Sequence, residues 1–175
     1  MRKWILIALL GLVTSLPMMA EDVVYLTSEE FRARVFDYRT EREWKYKGDK
    51  PCVIDFYTTW CGPCKRLAPI MEELSQQYCG KVIFYKMGIE REREIAYVFG
   101  ISSIPQVLYV PVEGSFSLEQ GLRPKEMMVS MIDELVRKAE AMQQVAPEEE
   151  EQPKAEEKKS LWQRWMDKLK YRTKK

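Results

Sequence analysis

Two cysteines stand two residues apart in "YTTWCGPCKRLAPI", residues 57–70. Three chemistries suit such a pair: metal binding, a structural cross-link, or electron exchange. A zinc ion would need two more ligands, and the 175-residue chain has neither a second Cys-x-x-C nor any histidine. Ligand counting therefore disfavours a metal. A disulfide closing so small a ring constrains little of the unfolded chain, so a purely structural bridge is a poor explanation. Redox exchange is the better account. The apolar run "PCVIDFYT" leads directly into the pair, and "CKRLAPIMEELSQQY" follows with apolar residues at helical intervals. That order puts Cys61 at a helix N-terminus, where unpaired N–H groups and the positive dipole end favour a thiolate. Cys64 falls on the next turn and can attack Cys61 across a tight loop.

A resolving thiol that is covered by protein must lose its proton, and Asp55 is the candidate base. It sits six residues before Cys61, among Val53, Ile54, Phe56 and Tyr57. A carboxyl buried in such a run should have a raised pKa, suited to accepting a proton directly or through water. A strand-end Asp facing water is the blander reading, and its apolar neighbours weaken it.

The elements that must hold these groups can be read outward from the pair. Asp22 to Leu26 suits a short first strand. Thr27 and Glu30 have the spacing of a capping box, followed by Phe31, Val35 and Tyr38 at helical intervals. The charged stretch from Arg39 to Lys50 reads as a helix extension and loop, with Trp44 and Tyr46 packing on the domain. After the cysteine helix, which Pro69 should kink, come "KVIFYKM" as a strand and "REREIAYVFG" as a short helix ended by Gly100. "QVLYV" and "GSFSLEQG" supply two more strands, the last antiparallel. "PKEMMVSMIDELVRKAEAM" is a long amphipathic helix with proline near its start. The alternation followed by a hairpin predicts an α/β layer sandwich with a mixed sheet.

Taken together, "VIDFYTTWCGPCK", Ala68-Pro69, "KVIFYKM", "FGISSIPQVLYV" and "EQGLRPKE" resemble the thioredoxin family in order and spacing, from about Asp22 to Met142. The resemblance implies the thioredoxin fold, a central mixed sheet with helices on both faces. It also implies thiol–disulfide exchange with protein substrates, a separate electron-donor protein, and no cofactor. Cys61 is then the attacking thiolate, nearer solvent, and Cys64 the resolving thiol. Lys86 matches the lysine that neighbours the buried Asp in this family. A cis Ile104–Pro105 bond is implied beside Cys61, presenting the Ile104 backbone to an extended substrate. Trp60, Gly62 and Pro63 would complete a flat, largely apolar docking surface. Cys-Gly-Pro-Cys without histidine looks like the reducing members of the family more than its Dsb-type oxidants. Three positions depart from the family pattern: Tyr57 for a common tryptophan, Gln106 for threonine after the proline, and Gly88 where Asn or Asp is frequent. A competing class is a thioredoxin-fold binding or assembly module acting through its C-terminal tail. The intact cysteines, Asp55 and Pro105 weigh against it.

Two further cysteines are ambiguous. The end of the cysteine helix, near Cys79, approaches the start of the strand near Cys52, which would permit a bridge. Side-chain alternation opposes it, since Cys52 lies three residues from Asp55 and points to the other face. A buried thiol is the expectation for Cys52.

The ends of the chain differ in character from its middle. Residues 1–20 have the anatomy of an export signal: Arg2 and Lys3, the apolar run "WILIALLGLVTSL", then "PMMA" before Glu21. An uncleaved anchor is the alternative, although the run is short against the ~20 residues that span a bilayer. Export is expected either way, and the likeness to periplasmic thioredoxins of Bacteroides-type bacteria implies the periplasm of a Gram-negative source. The domain is expected over 21–143, an acidic disordered linker over 144–160, and a basic amphipathic helix over 161–175. Residues 158–175 carry eight basic residues against one acidic. With Leu161, Trp162, Trp165, Met166 and Leu169 on one stripe, this segment suits an anionic membrane surface. The net charge of the whole chain, +1, predicts no nucleic-acid binding.

Overall fold

The computed structural model of the chain describes residues 22–145. The signal-like segment and the basic tail lie outside the described residues. Five strands form one sheet in the order β1-β3-β2-β4-β5. They are β1 (Val24–Tyr25), β2 (Cys52–Tyr57), β3 (Ile83–Gly88), β4 (Gln106–Val110) and β5 (Ser117–Gln120). Strands β1, β3 and β2 are parallel, whereas β4 runs antiparallel to β2, and β5 to β4. The helices among the described residues are α1 (Ser28–Arg34), α2 (Gly62–Gln77), α3 (Arg93–Val98) and α4 (Lys125–Val145). The expected mixed sheet is therefore present. α4 runs two residues into the stretch read as linker. Packing divides the chain after Val136, within α4.

Alternation along β2 sorts the core into two layers. Cys52, Ile54 and Phe56 face one side, where they meet Phe31 of α1 and Ile95 of α3. Val53 faces the other, against Leu67, Met71 and Leu74 of α2 and Met128 and Ile132 of α4. Both sides of the sheet are thus covered by apolar helix faces, the burial that dominates the stability of such a layer.

Local signals set the helix ends. Thr27 caps α1 as a capping box: its hydroxyl accepts from Glu30 N at 3.2 Å, while the Glu30 carboxylate accepts from Thr27 N at 3.0 Å. α1 stops at Arg34, however, and the helix extension expected after Arg39 is not formed. The chain from Phe36 to Lys50 is a loop drawn onto the core by its aromatic rings. Trp44 lies 4.8 Å from the Phe36 ring and 4.5 Å from the Phe116 ring. Tyr46 donates its hydroxyl to Lys50 O at 2.6 Å. A Cβ at Gly48 would come within 2.3 Å of that hydroxyl, so the turn is built around a glycine. Continuing the helix would have left these rings in water, and their burial outweighs helix propensity.

Pro69 stands inside α2 without ending it. Its missing N–H leaves the Lys65 carbonyl unpaired within the helix, but both residues are exposed, so water can satisfy that oxygen.

Candidate redox site

The chain leaves the C-terminal end of β2 at Tyr57, turns through Thr58 to Trp60, and enters α2 at Gly62. Cys61 is the N-cap of α2, and its Sγ accepts a hydrogen bond from Cys64 N at 3.1 Å. A sulfur at this position meets an unpaired backbone donor and the positive end of a four-turn helix, both of which stabilise negative charge. Pro63, in the first helical turn, has no N–H to leave unsatisfied. Cys61 and Cys64 are joined as a disulfide with their Cα atoms 5.3 Å apart. The two sulfur residues are almost equally covered in this oxidised state, at 5% and 3% exposure. Capping geometry, rather than the solvent access assumed from the sequence, is what distinguishes them.

Asp55 lies in the middle of β2 with 4% exposure. It shares its side of the strand with Val53, the side covered by the helix that carries Cys64. Burial pushes its carboxyl up to about 7, against the opposing pull of the Lys86 charge. Oδ1 is buried without a hydrogen-bond partner. Such a group is neutral or ionised in comparable amounts near pH 7, the condition that suits a general base. Lys86 is its cross-strand neighbour on β3. The Lys86 ammonium, however, lies over the ring of Tyr25, 4.2 Å from its centroid.

The Ile104–Pro105 peptide bond is cis. It precedes β4, whose Gln106 pairs with Phe56, so Pro105 stands at the end of the sheet where β2 hands over to the cysteine loop. Pro105 is buried and its carbonyl accepts from Gly121 N at 2.8 Å; Ile104 is half-buried. Trp60 is 73% exposed, and Gly62 and Pro63 are exposed beside it. This end of the sheet therefore gathers the predicted cysteines, Trp60, Gly62, Pro63, Ile104 and Pro105. Asp55 and Lys86 lie further in, side by side.

Cys52 is a fully buried thiol outside any disulfide, so the Cys52–Cys79 bridge is not formed. It faces the α1 and α3 side, opposite to Asp55. Burial pushes its thiol up to about 12, against a smaller pull from the neighbouring Tyr46 hydroxyl, which keeps it protonated and inert. Among the described residues, no group of three or more Cys, Asp or Glu is placed to hold a metal.

Several neighbours of the site carry no motif in the sequence. Thr58 is buried, and its carbonyl accepts from Cys61 N at 3.3 Å, closing the turn into α2. The Thr59 hydroxyl donates to Glu90 at 3.2 Å, tying the cysteine loop to the segment after β3. Tyr25 carries no local signal of its contact with Lys86, because only strand register brings them together.

Comparison with known proteins gives a consistent answer. The family model described as Thioredoxin matches residues 22–134. A thioredoxin of Borreliella burgdorferi is 40% identical over 109 residues, covering 62% of this chain and 93% of that protein. One from Chlorobaculum thiosulfatiphilum is 34% identical over 110 residues, covering 62% and 91%. Among solved structures, Malassezia sympodialis thioredoxin superposes with a TM-score of 0.53 at 27% identity, covering 66% of this chain and 92% of that one. Chloroplastic thioredoxin z superposes with a TM-score of 0.54 at 22% identity, over 69% and 96%, a likeness of fold.

Proposed function

The chain belongs to the thioredoxin family, and we propose that its thiol–disulfide exchange serves protein substrates in the cell envelope. It is a protein-disulfide reductase carrying a Cys61–Cys64 redox disulfide. In the proposed cycle, the reduced protein attacks a substrate disulfide with the Cys61 thiolate. A Cys61–substrate disulfide forms and the first substrate thiolate leaves. Cys64 then gives its proton to Asp55, directly or through water, and attacks the Cys61 sulfur. The second substrate thiolate leaves and the Cys61–Cys64 disulfide closes. Two electrons pass from the dithiol to the substrate, and a separate donor protein returns two to restart the cycle. Lys86 adjusts the proton affinity of Asp55. Trp60, Gly62, Pro63, Ile104 and Pro105 form the surface against which an extended substrate segment lies.

The observation that carries this reading is the Cys61 sulfur at the N-cap of α2, already bonded to Cys64 above the side of β2 that bears Asp55. The envelope location is supported by the basic, apolar and small-residue order of residues 1–20. Likeness to periplasmic thioredoxins of Bacteroides-type bacteria adds the Gram-negative periplasm. The tail, residues 161–175, supplies contact with an anionic membrane surface.

Covalent trapping tests the roles. Cys64→Ser should accumulate mixed disulfides with client proteins through Cys61, and Cys61→Ser should accumulate none. Insulin reduction should be lost in both. Trapping that required Cys64 instead would reverse the assignment.

A further inference from the structure

Tyr25, Lys86 and Asp55 are lateral partners on three adjacent strands, Tyr25 opposite Lys86 and Lys86 opposite Asp55. Lateral partners project from the same side of a sheet, so these side chains stand in one row from the edge strand to the buried centre. The lysine in the middle has two attractions available. On its inner side is a carboxylate; on its outer side is the face of an aromatic ring. The ammonium lies 4.2 Å from the Tyr25 ring centroid, inside cation–π range. Asp55 Oδ1 meanwhile has no hydrogen-bond partner, although a cationic donor stands on the next strand.

We propose that Tyr25 is a positioning residue for the reaction: its ring holds the Lys86 ammonium at the sheet edge, off the Asp55 carboxylate, and so sets how readily Asp55 takes the proton of Cys64. The proposal rests on the reading of Asp55 as base for Cys64. It follows from competition for a single cation. A lysine released from the ring swings inward and stabilises the ionised carboxylate, which makes Asp55 a weaker base.

Other groups near Asp55 do not replace Lys86 in this balance. From β2 itself comes Tyr57, and from β4 comes Tyr109; burial, with the Asp55 charge among the lesser causes, pushes both phenols up, so they stay neutral. Cys64, from α2, does not titrate in the disulfide form. Leu67 and Met71 of α2 and Met128 and Ile132 of α4 are uncharged. Glu90, beyond β3, acts on Tyr57 rather than on Asp55.

The test follows the Asp55 carboxyl carbon by NMR through a pH titration of the oxidised full-length protein, with Asp55→Asn assigning the signal. Tyr25→Leu should lower the titration midpoint by roughly half a pH unit, the size expected of an exposed cation–π contact. Tyr25→Phe, which keeps the ring, should restore the wild-type midpoint. In a Lys86→Met background, Tyr25→Leu should have no effect. Tyr25 is largely exposed, so these variants should keep the fold. An unmoved midpoint in Tyr25→Leu overturns the proposal, as does an equal shift without Lys86. The pH profile of insulin reduction should move with the midpoint. If the midpoint moves while that profile stays fixed, and Asp55→Asn leaves the profile unchanged too, the base reading fails and the link to catalysis goes with it.

Discussion

At the scale of single residues, Asp55 is the group whose placement is hardest to explain by stability. A carboxyl with 4% exposure and an unpartnered oxygen destabilises the folded chain whenever it is ionised. Its pKa is raised from 3.8 to about 7, so the folded protein holds this proton more tightly than the unfolded chain does. The stability it contributes is complete below pH 4, declines between pH 4 and 7 as the unfolded chain ionises first, and is constant above that. Asp55→Asn has no such proton. Its stability relative to wild type, from urea unfolding of the oxidised proteins, should therefore rise by roughly 4 kcal/mol between pH 4 and pH 8. Parallel pH curves for the two proteins would show that Asp55 is not held as a strained acid. Tyr57 and Gly88, two departures from the family pattern, are cross-strand partners, and a Cβ on Gly88 would meet the Tyr57 hydroxyl at 3.6 Å, an ordinary contact. Asp55 was legible because a lone carboxylate in an apolar strand stands out. Tyr25 was not, because an aromatic residue in a two-residue edge strand looks like any other.

Among the elements, helix starts followed the sequence closely and one helix end did not. The Thr27–Glu30 box and the Cys61 cap use atoms three residues apart, within reach of any reader of the sequence. Thr27→Ala should lower the stability of the domain by about 1 kcal/mol while leaving insulin reduction unchanged, since α1 lies on the side of the sheet away from Asp55. An unchanged urea midpoint would mean that the cap is replaced by water at no loss. The extension predicted for α1 failed for a tertiary reason. Trp44 packs on the rings of Phe99 and Phe116, more than fifty residues away along the chain, and Phe36 packs on Trp44. The bidentate pair between Arg39 and Glu94 of α3, with Nε to Oε1 at 2.9 Å, fastens the same loop. The interleaved rings of Trp44 and Tyr46 signal packing on the domain, but no local pattern in a charged stretch names their partners.

For the whole molecule, the catalytic domain and the proposed address are carried by different parts of the chain. No helix among the described residues is long and apolar enough to cross a membrane. The proposed export signal, residues 1–20, and the proposed membrane-contacting tail, residues 161–175, lie outside the described residues. Fractionation of cells expressing the full chain should recover a mature protein beginning at Glu21 in the envelope. Removal of residues 147–175 should move it from the membrane pellet to the soluble fraction without loss of insulin reduction. A product that starts at Met1 would remove the cleavage proposal, and an unmoved protein the role given to the tail.

Residue order alone established the reactive pair, the helix cap that favours its ionisation, the buried carboxylate and the family. The first three depend on residues within a few positions of one another, where spacing fixes geometry, and the family shows in the order of motifs from Asp22 to Met142. Tertiary packing alone settled which residues meet across the sheet: Tyr25 over Lys86, Tyr57 beside Gly88, and Phe99 and Phe116 as the partners of Trp44. Register between strands separated by tens of residues is set by the packing of both sheet faces together, and no local run of side chains encodes it.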